Sequence, residues 1–94
     1  MKRKVVVRPP ISRRIRSFGL PRGILVELLI HIHAGIVRDF ESSRHQRLDE
    51  DPTCFRYRIA IPEKDGGEHL FVVAVDDTTS PDHLLVVNIG HATL

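Results

Sequence analysis

The spacing of hydrophobic residues changes once along the chain and divides it into a mainly helical first part and a stranded second part. Between residues 22 and 37, apolar side chains recur three and four positions apart, which is the spacing of a helix. Over residues 55–61 apolar and polar residues alternate, which is the spacing of a half-buried strand. The pattern therefore predicts an early strand, then helices, then several strands.

The first part predicts one strand and two helices. A β-branched run over residues 4–8 is a strand that Pro9 and Pro10 end. Ser12 is placed to cap a short helix over residues 13–18, which Gly19 ends. The second helix covers about residues 22–37 and is apolar nearly all round, so we expect it to be sandwiched or covered by a partner. Its many Ile and Val residues leave a strand open as the alternative.

The second part predicts three strands joined by turns. The strands cover residues 55–61, 70–75 and 84–89, after a polar loop over 38–53 and with turns over 63–68 and 76–83. The continuously apolar middle strand predicts burial on both faces. The fold class is therefore α+β: one N-terminal strand, two helices, then a three-stranded antiparallel meander, with the helices packed on a small twisted sheet.

The length and composition fit one small globular domain spanning residues 1–94. The chain is 41% hydrophobic and 28% charged, the balance of a folded protein, and no apolar run approaches the length of a membrane span. The basic N-terminus is followed by too short an apolar run for a secretory signal. The single cysteine, Cys54, cannot form an internal disulfide. We therefore expect a cytoplasmic protein without membrane contact.

The net charge of +2 conceals two halves of opposite sign. Residues 1–47 contain eleven Lys or Arg and three acids, whereas residues 48–94 contain three basic residues and nine acids. A basic half favours a polyanionic partner such as a nucleic acid, although it also suits a solvated surface or an acidic partner protein.

Two arginines stand side by side on the strand over residues 55–61. Arg56 and Arg58 share its polar face, about 7 Å apart along the backbone, a spacing that suits phosphate oxygens. The alternative is an ion pair with an acid of the meander such as Glu68 or Asp76. Arginine stays protonated near neutral pH, so a general base has to come from elsewhere.

The element order, the basic strand and the last strand together resemble the RelE/ParE superfamily of bacterial toxins. The resemblance covers nearly the whole chain in element order. The segments that carry it are Phe55-Arg56-Tyr57-Arg58-Ile59 and Val87-Asn88-Ile89-Gly90-His91. RelE-like members are ribosome-dependent mRNA endonucleases, and ParE-like members inhibit DNA gyrase without cutting nucleic acid.

The resemblance implies the toxin component of a type II toxin–antitoxin pair, with a cognate antitoxin as partner. An endonuclease of this kind would act on mRNA on the ribosome, with Arg56 and Arg58 on phosphate and His91 assisting. The C-terminal tyrosine typical of these enzymes is missing, since Ala92, Thr93 and Leu94 follow His91. That difference favours the alternative, a gyrase inhibitor or a catalytically silent binding protein. A nucleic-acid-binding module unrelated to toxins is a third hypothesis.

Further candidates come from residue chemistry and position. His91 is the best acid or base, because histidine titrates near neutral pH and a strand end is open to solvent; the alternative is a plain surface histidine. We do not expect His69 or His83 to take part. The predicted RNA-backbone contacts are Lys2, Arg3, Lys4, Arg13, Arg14, Arg16 and Arg47. No metal or other cofactor is expected, because His31 and His33 point apart on a helix.

Overall fold

The computed structural model describes residues 3–40 and 47–94. Its elements are β1 (Lys4–Val7), α1 (Pro9–Ser17), α2 (Arg22–Ile30), a π-helical turn (His31–Gly35), α3 (Ile36–Arg38), β2 (Cys54–Pro62), β3 (Glu68–Asp76) and β4 (His83–Thr93). The predicted α+β class is confirmed. Within the described residues, no helix is long and apolar enough to cross a membrane.

The four strands form one mixed sheet in the order β1-β4-β3-β2. β1 lies parallel to β4, whereas β4 with β3 and β3 with β2 are antiparallel. The register between β3 and β4 shifts after Ala74, because Ala74 faces Asn88 whereas Val75 faces Val86. Val87 is therefore the extra residue of a bulge in β4. β1 pairs with residues 83–86 of β4, so in the described part of the chain the rest of β4 has no strand partner on that side.

The helices pack on one face of this sheet and form the hydrophobic core there. Ile11 and Ile15 come from α1, and Leu28, Ile32 and Ile36 come from the helical segment that follows. They meet alternate residues of the strands, and these are Phe55, Tyr57, Ile59, Ile61, Phe71, Val73, Val75, Leu84, Val86 and Ile89. The intervening side chains of β3 are only partly buried, so the other sheet face is not covered by these helices.

The second predicted helix is confirmed as helical, and the strand alternative for residues 22–37 is wrong. The segment is continuous from Arg22 to Arg38 but widens into a π-helical turn at His31–Gly35. Gly35 lies directly over the sheet there: a Cβ at this position would stand 3.0 Å from the hydroxyl oxygen of Tyr57. That hydroxyl donates a hydrogen bond to Asp39 at 2.9 Å. The turn thus coincides with the place where helix and sheet approach closely.

The start of α1 corrects one prediction. The helix begins at Pro9, so Pro9 and Pro10 open it, and Ser12 lies within the helix and does not cap it. Proline is suited to the first turn, because its missing N–H has no partner there and its φ already matches the helix. Arg8 precedes the helix and makes no side-chain capping bond.

The three strands of the second part are longer than predicted, with two consequences. β3 is buried on one face only, so the expectation of burial on both faces is wrong: Leu70, Val72 and Ala74 are partly exposed. β4 continues to Thr93, which places His91 inside the strand.

The predicted loop over 38–53 includes residues 41–46, which lie outside the described residues. At its far end, Arg47 forms an isolated β-bridge with Phe55 of β2.

Candidate functional site: an arginine pair and a histidine relay

Arg56 and Arg58 lie on the sheet face that the helices leave uncovered. Arg56 faces Ala74 across the strands and Arg58 faces Val72, and cross-strand partners project to the same side. Arg58 is exposed and Arg56 half-buried. Within residues 3–40 and 47–94, neither guanidinium makes a hydrogen bond or an ion pair. We call Arg56, Arg58, Leu70, Val72 and Ala74 the open sheet face.

The predicted alternative, an ion pair with Asp76 or Glu68, is not found within the described residues. The carboxylate of Asp76 accepts hydrogen bonds from the backbone N–H groups of Thr78 and Thr79, at 2.9 and 3.0 Å, and from the hydroxyl of Thr79. Burial alone would raise the pKa of Asp76, but these bonds together lower it to about 2. Asp76 therefore holds the turn after β3, and the arginine pair keeps its charge available for another molecule.

His91 lies on the opposite face of the sheet from the arginine pair. It is the cross-strand partner of Phe71, which is fully buried in the core, so the His91 ring points toward the helices. It is half-buried and not at an open strand end as predicted. The three residues predicted to be catalytic therefore do not converge, and one phosphate group cannot contact all of them.

A chain of three titratable side chains lies at the His91 end of the sheet. The carboxylate oxygen Oε1 of Glu63 is 2.5 Å from Nε2 of His69, and Nδ1 of His69 is 2.8 Å from Nε2 of His91. The two imidazole planes are within 12° of each other, so the bond between them runs close to both ring planes. His69 is buried, whereas Glu63 lies on the turn after β2 and is partly exposed. We call these three residues the histidine relay.

The histidine relay includes Glu63, which the sequence does not single out, and His69, which is not expected from the sequence to take part. The sequence predicts that the middle strand begins at Leu70, which leaves His69 in a turn, whereas β3 begins at Glu68. With the longer strand, His69 falls in the same alternating register as Phe71, Val73 and Val75, which is the buried register. A histidine at a core position of an alternating strand is the signal that could have identified it.

Aromatic side chains hold the exposed end of the relay. The His91 ring centre lies 4.8 Å from that of Phe71 and 5.1 Å from that of Phe18, at the end of α1. The Arg14 guanidinium carbon lies 5.9 Å from the Phe18 ring centre, and Nε of Arg14 donates to the carbonyl of Ile89 at 2.6 Å. Burial, and to a smaller extent the nearby His69, lower the pKa of His91.

Three of the predicted RNA contacts are engaged within the protein: Arg14, although exposed, donates to the carbonyl of Ile89, and Arg47 and Arg3 bond to the turn between β3 and β4. Arg47 forms a two-pronged ion pair with the buried Asp77, at 2.5 and 2.8 Å, and this lowers the pKa of the Asp77 carboxyl. Arg3 donates to the backbone carbonyls of Asp77, Ser80 and Pro81 at 2.6 to 3.0 Å. Both guanidiniums hold the turn between β3 and β4, which leaves them fewer donors for a phosphate.

The remaining predicted RNA contacts lie at the surface or outside the described residues. Lys4, Arg13 and Arg16 are exposed, and Lys2 lies outside the described residues. Arg3 and Lys4 also line a groove of about 820 Å³ between β1 and the helical segment, together with His33 and Arg38. These cations lie beside β1 or on α1, whereas Arg56 and Arg58 lie on β2, at the other edge of the sheet.

The described residues contain no group of three His, Cys, Asp or Glu side chains placed to hold a metal ion.

Cys54 is buried at the start of β2, and burial raises the pKa of its thiol. It therefore packs as a small apolar residue.

Comparisons of this chain with protein-family models, with curated proteins and with solved structures return no match. Its function is therefore argued from its own residues.

Proposed function

We propose that this chain is the toxin component of a type II toxin–antitoxin pair and that it acts as a RelE-like endonuclease on ribosome-bound mRNA. The observation that carries the proposal is the pair Arg56 and Arg58 on the open sheet face, which has no protein partner in the described part of the chain. Two unpaired guanidiniums on one strand face suit the oxygens of neighbouring phosphates. Supporting features are the resemblance to the RelE/ParE superfamily and the exposed cations of α1.

A second candidate function is binding without cleavage, as in a gyrase inhibitor or a catalytically silent relative. Two observations favour it. Arg56 and Arg58 lie on the opposite sheet face from His91, so the expected catalytic set is divided. The centre of the open sheet face is also apolar, with Leu70, Val72 and Ala74 partly exposed and no aromatic side chain among them for a base to stack on. Apolar residues beside arginines are typical of protein interfaces.

The experiment that tests the proposal combines expression in a bacterial host with a primer-extension map of cellular mRNA. An endonuclease arrests growth and produces new mRNA ends within minutes. Growth arrest with DNA damage and no new ends would overturn the nuclease function in favour of gyrase inhibition. No arrest would overturn both toxin functions and leave the unrelated nucleic-acid-binding module.

Binding to a single-stranded RNA gives a direct test of the arginine pair. The variant Arg56→Gln/Arg58→Gln should weaken binding by about tenfold or more and reduce the slope of log affinity against log salt by about 1.4, because two phosphate contacts are lost. The matched control Arg22→Gln/Lys64→Gln removes the same charge from exposed positions away from the open sheet face. If both variants bind equally well, the pair makes no phosphate contact.

A further inference from the structure

The hydrogen bonds between β3 and β4 determine which backbone groups of β4 point outward. Glu68 of β3 and Leu94 exchange both of their backbone hydrogen bonds, at 3.2 and 2.8 Å. Bonded and non-bonded pairs alternate along an antiparallel ladder, so this pair sets the phase of the ladder as far as the bulge. Ile89, His91 and Thr93 are then non-bonded positions, and their N–H and C=O groups point away from β3.

Two side chains occupy the outward groups of Ile89. Oδ1 of Asn88 accepts from the Ile89 N–H at 2.9 Å, and Nε of Arg14 donates to the Ile89 carbonyl at 2.6 Å. Both bonds agree with the phase and take the places that a neighbouring strand would fill. The outward backbone groups of His91 and Thr93 have no protein partner in the described part of the chain.

The part of β4 beyond its bulge lacks the charges and prolines that keep sheet edges from pairing. Edge strands usually carry Lys, other charged residues or Pro, which hinder the addition of another strand. Residues 88–93 contain no Asp, Glu, Lys, Arg or Pro. In contrast, β1 carries Lys4, and β2 carries Arg56, Arg58 and Pro62. The free part of β4 is therefore the edge of the sheet that another strand can join.

We propose that residues 89–93 of β4 pair with the same residues of a second copy of this chain, antiparallel across a twofold axis at His91. His91 then exchanges two backbone hydrogen bonds with His91 of the second copy. On either side of the axis, Ile89 of one copy exchanges two with Thr93 of the other. The bonds from Arg14 and Asn88 to Ile89 are given up for these. The proposal is independent of the RNA target proposed above.

Charge complementarity favours a second copy as the occupant of this edge. α1 carries Arg13, Arg14 and Arg16, whereas the segment 63–68 contains three acids and one lysine. In the proposed register Ile89, which contacts α1 through Arg14, lies beside Thr93 of the second copy. β3 of that copy, with Glu68 at its start, is then about 10 Å from Ile89, two strand spacings away. This is comparable with the Debye length of about 10 Å at 0.1 M salt, and the twofold axis makes the attraction occur twice.

The side chains at the proposed interface leave room for the two strands. On the side of the open sheet face, Gly90 of one copy lies opposite Ala92 of the other. A Cβ at Gly90 would have no neighbouring atom within 4 Å, so nothing there obstructs an added strand. The dimer has one continuous sheet in the order β2-β3-β4-β4-β3-β2. Its two arginine pairs lie on the same face of that sheet, about 24 Å apart, five strand spacings.

Sedimentation velocity over about a hundredfold range of protein concentration measures the dimer. One short edge buries less surface than an obligate dimer does, so we expect a reversible equilibrium that weakens as salt is raised. Thr93→Pro removes an N–H that the second copy needs and that pairing with β3 does not use, so it should weaken the dimer about tenfold or more. The control Thr93→Ala keeps that N–H and should dimerise as the wild type does.

A second pair of variants tests the interface through charge. Ala92 and Ala60 both pair with Leu70, on the same row of the open sheet face and at opposite sides of β3. Ala92→Lys should weaken the dimer about tenfold, because the two new lysines become diagonal neighbours whose Cα atoms are about 7–8 Å apart. Ala60→Lys adds the same charge on β2 and should leave dimerisation unchanged.

Each outcome supports or overturns the dimer. A monomer at every concentration would overturn it and leave the edge to a strand of another protein. Thr93→Pro that dimerises like the wild type, or equal weakening by Ala92→Lys and Ala60→Lys, would place the interface elsewhere and overturn it as well. Urea unfolding establishes that each variant is folded. None of these results bears on mRNA cleavage, so failure of the dimer and failure of the nuclease function are distinguishable.

Discussion

The helical segment approaches the sheet closely at Gly35 and Tyr57, and one substitution at Gly35 tests this contact. A Cβ at Gly35 would stand 3.0 Å from the Tyr57 hydroxyl oxygen, which is held by its bond to Asp39. Gly35→Ala should therefore lower the free energy of unfolding by about 1–2 kcal/mol, because the crowding outweighs the better helix propensity of alanine. Urea unfolding at neutral pH measures the change.

Two controls separate crowding from helix propensity. Gly23 lies in α2, and a Cβ added there would have no neighbouring atom within 4 Å, so Gly23→Ala should stabilise the protein by about 0.5–1 kcal/mol. Tyr57→Phe removes the hydroxyl, so Gly35→Ala should cost less in that background than in the wild type. Equal costs in both backgrounds would mean that the hydroxyl is not what Gly35 accommodates.

Residue type alone does not show whether an arginine is free to bind a phosphate. Arg47 and Arg56 have the same chemistry, yet Arg47 is paired with Asp77, thirty residues away, and Arg56 is unpaired in the described residues. The sequence predicts both as phosphate contacts, because nothing local distinguishes them. Only the fold, which brings the turn after β3 against Arg47, determines which guanidinium is available.

The helical segment from Arg22 to Arg38 has two faces, although its sequence is apolar nearly all round. Leu28 is fully buried, whereas Val26 and Ile30 remain 48% and 59% exposed. Leu28→Ala should lower the free energy of unfolding by about 3 kcal/mol through the cavity it leaves. Ile30→Lys should change it by less than about 0.5 kcal/mol, since the side chain already contacts water.

Urea denaturation of both variants measures these changes, and sedimentation velocity accompanies it. A large loss of stability in Ile30→Lys would contradict the exposed position of Ile30. A change in sedimentation coefficient at unchanged stability would instead show that this helix face contacts a second copy in solution.

Element type is largely predictable from the sequence, and element ends are not. The period of two at Phe55 identifies β2 within one residue at each end, because every second residue there contacts the core. The helix over 22–37 is identified by its spacing, despite its β-branched residues. In contrast, β4 extends four residues beyond Ile89 because it pairs with β3 as far as His69, a long-range pairing that the sequence does not display. That extension places His91 beside His69.

Two neighbouring acids, Asp76 and Asp77, connect parts of the molecule at the junction of β3, β4 and the N-terminal segment. The side chain of Asp76 holds the turn, that of Asp77 pairs with Arg47, and the backbone carbonyl of Asp77 accepts from Arg3. At this junction the ion pair between Arg47 and Asp77 joins the basic first part of the chain to the acidic second part. The arginine pair on β2 lies outside this junction, and its charge remains exposed.

The same junction predicts how stability depends on acidity. The carboxyl pKa of Asp76 falls from 3.8 to about 2 on folding, and that of Asp77 is also lowered. A carboxyl whose pKa is lower in the folded state stabilises the fold above its unfolded pKa, and this contribution is lost as the pH falls through the folded value. Because solvent screens part of the effect, Asp76 should contribute on the order of 1–2 kcal/mol above pH 4 that disappears near pH 2.

Asp76→Asn tests this directly, since the amide oxygen can still accept from Thr78 and Thr79 but carries no charge. The variant should be less stable than the wild type at pH 7, and the two unfolding free energies should converge as the pH approaches 2. Asp82→Asn, at an exposed carboxylate in the same turn, should follow the wild-type curve throughout. Urea unfolding at half-unit steps from pH 7 to pH 2 gives all three curves. Parallel curves for Asp76→Asn and the wild type would show that the Asp76 charge does not stabilise the turn, because a titrating charge must bring the curves together.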